Sequence, residues 1–316
     1  MDYAPALWLC DGQRVGRVLL LNLLATLSCF AVAQPVRAAC PPPGYERASL
    51  EALKTSGFEL ADDTRRQALA LALLPCLADA DPHLRDGIAF EAYYTWLRAD
   101  RLDAVTRTVL LERASAMIEP AQADRDGFRQ PFAALVLSEV ARTDRVTPWF
   151  TPAQRASLVT QAARYLTAVR DYRGFDPQQG WRHGVAHGAD LVMQLAMNPA
   201  VDRAGLDRLL SAVAAQVAPP GDHSYIDGES ERLARAVLFV AQRSLLTANE
   251  WERWLRNVAA PPAAANKVAA YRTRAGLARL HNLNAFLYAL YANARESGDA
   301  NMQALVPGLQ AVFKTQ

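Results

Sequence analysis

Four polar residues recur at helical spacing in the stretch Gly180–Asn198, GWRHGVAHGADLVMQLAMN: His183, His187, Asp190 and Gln194. At about 100° per residue they gather within about 60° of one another on a helix. Imidazoles one turn apart can ligate a metal ion, move a proton or take part in ligand hydrogen bonds. Trp181, Val185, Val192 and Leu195 gather on the opposite side of the same helix. Gly184 and Gly188 border the polar stripe, and glycine costs a helix about 1 kcal/mol against alanine. Two such costs point to a close approach, by a neighbouring helix or by a ligand. Solvated helix faces are usually rich in Lys, Glu and Arg, whereas this stripe has neither Lys nor Glu. Three readings follow: a functional pocket, a buried hydrogen-bonded structural cluster, or a plain solvated face.

The elements that must position this stretch are all helical. Ser49 suits the cap of a short helix, and Asp62 or Asp63 that of a second, running to about Leu77. Asp81-Pro82 and Thr151-Pro152 each pair a capping side chain with proline at the first helical position. Further helices are expected over about Asp103–Ile118, from near Gly127, from Asp202 or Arg203 to Ala218, and from an Asp227 cap to about Ser244. Thr247–Glu250 is a capping box, Ala259–Asn266 a linker, and two last helices span about Lys267–Arg295 and Asp299–Phe313. No run of alternating β-branched and aromatic residues marks a strand. The expected fold is all-α. First-in-pair helices recur every 45 to 55 residues (roughly the period of helical repeat arrays), which predicts paired antiparallel helices in a HEAT-like curved solenoid. An α/α bundle or toroid gives the same helix order.

The first 38 residues stand apart from this fold. Arg14 and Arg17 precede the apolar run Val18–Ala33, and Val36-Arg37-Ala38 offers a small-residue cleavage site. A signal peptide over 1–38 leaves a single α-helical domain over 39–316, exported and periplasmic. The alternative, an uncleaved inner-membrane anchor, is disfavoured because the run falls short of the roughly 20 residues of a spanning helix. No stable membrane insertion is expected after cleavage. The net charge is +2 with no basic stripe, so a nucleic-acid partner is not expected. Beyond the leader only Cys40 and Cys76 remain, an even pair that suits a disulfide in an exported chain.

Over about 81–243 the chain resembles a bacterial family catalogued as domain of unknown function 2785. The carrying residues are Asp81-Pro82 with Arg85-Asp86, then Arg129 and Phe132 in RQPFAALVL, then Asp171-Tyr172-Arg173-Gly174. Gly180-Trp181 through Asp190-Leu191 follows, and Glu229, Glu231 and Arg232 precede LARAV. The core GW-x-H-x-x-x-H-G-A-D is the most specific part. Arg182 stands where the family pattern has Ala, and Gln130-Pro131 where Ser is expected. The resemblance implies an all-helical fold and brings no activity with it.

In a solenoid, Arg85, Asp86, Arg129, Asp171, Arg173, Trp181, His183, His187, Asp190, Glu231 and Arg232 would converge on one face as a ligand pocket. Guanidinium forks among carboxylates suit a small anionic ligand or a polypeptide, which makes a binding or scaffolding module the first reading. A metal-dependent hydrolase is the alternative: His183 and His187 with Asp190 would hold Zn or Mn and activate water. This is not the HExxH arrangement, since Gly184 and Val185 fill the intervening places and no general base lies between the histidines. A third reading leaves the cluster purely structural. No nucleophile elbow, phosphate loop or dinucleotide fingerprint occurs.

Overall fold

The computed structural model describes residues 39–119, 124–260 and 270–315. The expected leader and most of the Ala259–Asn266 linker lie outside the described residues. Among the described residues the chain is predominantly helical, with one two-stranded hairpin. None of these helices is long and apolar enough to cross a membrane.

The chain opens with α1 (Arg47–Thr55) and α2 (Asp63–Ala72), the latter capped by the Asp62 side chain. The chain expected to continue α2 to Leu77 instead tightens into a 3-10 turn, Leu74–Ala78, around Pro75. Cys76 in that turn forms a disulfide with Cys40. This closure, across a separation of 36 residues, ties the extended start of the domain to the helices and stabilises by about 2–4 kcal/mol on the chain-entropy model. Asp81 caps α3 (Pro82–Leu84), as its pairing with proline predicts. The helix then widens into a π turn over Arg85–Phe90 before continuing as α4 (Glu91–Arg98).

Next come α5 (Ala104–Met117), α6 (Arg129–Val146) and α7 (Pro152–Ala168), the last opened by a Thr151–Gln154 capping box. The central helix, α8, spans Gly184–Ala196 and α9 spans Arg203–Val217. They are followed by α10 (Glu229–Gln242) and α11 (Ala248–Ala259). The chain ends with α12 (Arg274–Glu296), α13 (Ala300–Gln303) and α14 (Val306–Thr315). The last two divide what the sequence reads as one helix from Asp299.

Three expectations need correction around α8. It starts at Gly184, not Gly180, because Phe175–Asp176 pairs antiparallel with Gly180–Trp181. His183 then takes a left-handed conformation, φ 60° and ψ 36°, which interrupts any helix running through it. The Asp176 carboxylate closes the hairpin turn by accepting from the Gln178 and Gln179 amides at 2.9 and 2.7 Å. Two-residue strands are too short to leave an alternating pattern. Trp181 therefore lies on the hairpin, half exposed, and not on an apolar helix face. Asp227 does not cap α10; Gly228, with φ 89°, holds that place.

The helices build outward from α8. α4 packs on α6, α6 on α8, α8 on α10 and α10 on α12, while α7 and α9 pack on each other and both touch α8. With neighbours on every side, all residues of α8 but Met193 are buried. Its apolar side, Leu191, Val192 and Leu195, is at most 1% exposed; each such side chain contributes about 1.5–3 kcal/mol.

The two glycines of α8 explain the approach of α7. A β-carbon on Gly188 would sit 3.0 Å from the Tyr165 ring and 3.1 Å from Leu166. Tyr165 cannot easily yield, because its buried hydroxyl donates to the Gly184 carbonyl at 3.2 Å. Gly188→Ala should gain about 1 kcal/mol of helix propensity and lose about 1–3 kcal/mol to overpacking. A net destabilisation is expected by urea unfolding; a more stable variant would show that α7 tolerates a wider spacing.

Candidate functional site

The stripe seen in the sequence is buried, not solvated. His183, His187, Asp190 and Gln194 are each 9% exposed or less. A group buried there needs an internal partner, and most of the candidates have one.

His183 faces the start of α10. Its Nε2 lies 2.8 Å from the Asp227 carbonyl. A carbonyl only accepts, so Nε2 carries the proton and Nδ1 the lone pair when the ring is neutral. Trp181 stacks on the ring at 4.5 Å and 21°. Burial lowers the imidazole pKa, the Asp227 carbonyl opposes that, and the Arg232 guanidinium adds to it.

His187 lies one turn on, 5.5 Å from His183 between ring centres. It meets Phe132 edge-on at 5.1 Å. Burial drives its pKa well below 6.5, helped by His183, Arg232 and Arg85, with the Pro131 carbonyl opposing. Nδ1 makes no hydrogen bond within the protein and the Pro131 carbonyl acts on the ring, so we assign the ring proton to Nε2. Both histidines are thus assigned as neutral Nε2–H tautomers, His183 from its Asp227 contact and His187 from its unpartnered Nδ1.

Asp190 forms an ion pair with Arg232 across the α8–α10 packing. Burial raises the carboxyl to about 6 against the pull of Arg232. Gln194 accepts from Arg145 at 3.2 Å.

Arg85 comes from the π turn and is fully buried. Its guanidinium lies over the Phe128 and Phe132 rings at 4.0 and 4.8 Å. It donates to the Asp79 carbonyl (2.8 Å), the Gln179 carbonyl (2.7 Å) and Asp86 (2.8 Å). Phe132 thus touches both Arg85 and His187. Burial lifts the Asp86 carboxyl to about 6 although Arg85 opposes it. The hairpin is clamped here too: a β-carbon on Gly180 would come within 2.9 Å of Pro82 and 3.2 Å of Arg85.

The remaining candidates separate. Asp171 pairs with Arg173 on the approach to the hairpin; burial works to raise Asp171, but Arg173 holds it below the usual carboxylate value. These two lie beside Gly127, where a cavity of about 100 Å³ opens between Asp124, Pro131, Tyr165 and Gly184. Arg129 is the first residue of α6 and half-buried. Glu231 is exposed on the first turn of α10.

Several participants were not read from the sequence. Arg182, noted only as a departure from the family pattern, lies over Phe128 at 4.4 Å and donates to the Asp126 carbonyl at 2.8 Å. Ser230, beside Glu231, is buried with an unpartnered hydroxyl. Phe175, against Trp181, and Ile226, preceding Asp227 in sequence, are exposed apolar residues. Only the exposed pair lacked any signal, since a single apolar residue in a loop is ordinary.

Among the described residues no three His, Cys, Asp or Glu side chains are arranged to hold a metal ion. The expected Zn or Mn set of His183, His187 and Asp190 is not assembled, because Asp190 turns to Arg232.

This is a predominantly helical protein organised on a buried ionic and aromatic cluster. The chain matches the family described as Protein of unknown function (DUF2785) over residues 116–292 and belongs to it. No curated protein and no solved structure matches. The matched stretch contains His183, His187, Asp190 and Arg232, and it begins beyond Arg85 and Asp86.

Asp190 gives a testable linkage. Its folded value near 6 lies above the ordinary 3.8, so the fold binds that proton more tightly than the unfolded chain does. The ionised carboxyl costs stability at neutral pH, and the cost fades as pH falls from about 6 toward 4. Between about pH 7 and pH 4, wild type should gain about 1–3 kcal/mol relative to Asp190→Asn, measured by urea unfolding. A difference independent of pH would contradict the raised value.

Proposed function

We propose that this chain is an exported, periplasmic binding module that takes a ligand at the seam between the hairpin and the start of α10. The observation that carries this reading is the coincidence of two features at one place. Buried groups with displaced titration (His183, His187 and Asp190) run inward along α8 from half-exposed Trp181, which stacks on the first of them. Displaced titration of this kind concentrates at functional sites. A purely structural cluster accounts for the Asp190–Arg232 pair. It does not account for an exposed indole stacked on His183, nor for the unpartnered His187 Nδ1 and Ser230 hydroxyl, each costing about 1–3 kcal/mol.

The row α4, α6, α8, α10 and α12, backed by α5, α7 and α9, supports a HEAT-like array with the seam at the starts of its inner helices. The Cys40–Cys76 disulfide supports an oxidising compartment. The pairing of Asp190 with Arg232 weighs against the metal-dependent hydrolase. The arginines expected to receive an anion are turned inward: Arg85 to Asp86 and two carbonyls, Arg173 to Asp171, Arg232 to Asp190.

Native mass spectrometry after incubation with a periplasmic extract tests the reading, with wild type beside Trp181→Ala and Phe175→Ala, both at exposed side chains. The expected result is a ligand adduct on wild type, lost from both variants while their melting temperatures stay close to wild type. No adduct on wild type, or one that both variants retain, contradicts a site at this seam.

A further inference from the structure

Three exposed apolar side chains rim the seam. Phe175 and Trp181 face each other across the hairpin at 5.0 Å. Ile226 precedes Asp227, whose carbonyl holds His183. Phe175, Trp181 and Ile226 are 56%, 37% and 78% exposed. The hairpin and the α9–α10 loop meet closely, because a β-carbon on Gly174 would collide with the Asp227 carboxylate. An apolar rim at one contact is a mark of a binding surface.

The floor beneath the rim is rich in acceptors. His183 spends its ring N–H on the Asp227 carbonyl, so its Nδ1 has a lone pair to offer, and the Nδ1 of His187 behind it has no partner within the protein. Asp190 adds carboxyl oxygens. Ser230 can donate or accept, and its hydroxyl has no partner within the protein. An anionic ligand would set its own lone pairs against these acceptors, and the adjacent guanidiniums already carry partners. A cationic ligand would enter the field of Arg232 and Arg85, both of which act on His187. What fits is an uncharged group with several hydrogen-bond donors and an apolar face.

We infer that the seam binds a neutral saccharide unit, with its C–H face against Trp181 and Phe175 and a hydroxyl donated to His183 Nδ1. This rests on the binding reading above and names its ligand class.

The test follows the imidazole nitrogens of the purified protein by long-range ¹H–¹⁵N NMR. Six probes are titrated singly to millimolar concentration: glucose, galactose, mannose, N-acetylglucosamine, maltose and chitobiose. Acetate, inorganic phosphate and putrescine serve as charged counterparts. At least one sugar should shift the Nδ1 signal of His183 while leaving its Nε2–H signal in place. Its affinity should fall about tenfold or more in Trp181→Ala. Ser230→Ala, which keeps the histidines intact, should weaken it in the same direction. A shift from a charged probe with silence from all six sugars overturns the saccharide and leaves the binding site standing. Silence from all nine overturns both. Sugar binding that leaves the His183 Nδ1 signal unmoved, or that Trp181→Ala retains in full, also overturns the inference.

Discussion

Burial of α8 on every side constrains the rest of this structure. A surface helix can turn its polar stripe to water, but α8 is enclosed by α6, α7, α9 and α10. Each polar group on it must then find a partner inside or lose its charge. Asp190 does the first with Arg232 and part of the second, rising to about 6. The histidines do the second, and His183 lodges its N–H on the Asp227 carbonyl in the loop before α10. The polar stripe thus joins α8 to α6 through Pro131 and to α10 through Asp227 and Arg232.

The same enclosure explains the surroundings. Packing α7 tightly on α8 requires Gly184 and Gly188, against which Tyr165 lies. Arg85 is a charge without water, held by two phenylalanine faces, two carbonyls and Asp86. Removing one partner of such a group leaves a buried charge uncompensated, which typically costs about 3–5 kcal/mol. The hairpin is anchored at one end by this arginine, through the Gln179 carbonyl, and at the other by the Trp181–His183 stack. Structural and ligand-facing roles therefore share the same residues, and a substitution at either end of the hairpin reaches His187 through its neighbours.

Much of the scaffold was legible in the sequence, because helix starts are written locally. Asp81-Pro82, Thr151-Pro152-Ala153-Gln154, Asp202 and Thr247–Glu250 each mark a start that the structure places within a residue or two. The Cys40–Cys76 bond follows from an even count of cysteines. The proximity of His183, His187 and Asp190 was also legible, although His183 reaches its place through a left-handed turn and not through helical periodicity. Other features are decided by tertiary contacts. The hairpin that moves Trp181 off the helix is too short to pattern the sequence. Gly228 displaces Asp227 as the cap because the Asp227 carbonyl faces His183. The inward turn of Arg85 depends on Phe128 and Phe132, some forty residues away, and no local rule reaches that far.

The central claim is that α8 and the His183 cap before it carry two buried, neutral histidines, both assigned as Nε2–H tautomers. A pH titration of the imidazole ¹⁵N signals in the free protein tests it most directly. The account predicts Nε2–H tautomers for both rings, with His187 showing no protonation step near 6.5, where an ordinary histidine titrates. A His187 that titrates near 6.5, or that carries its proton on Nδ1, would contradict the buried cluster and the site built on it.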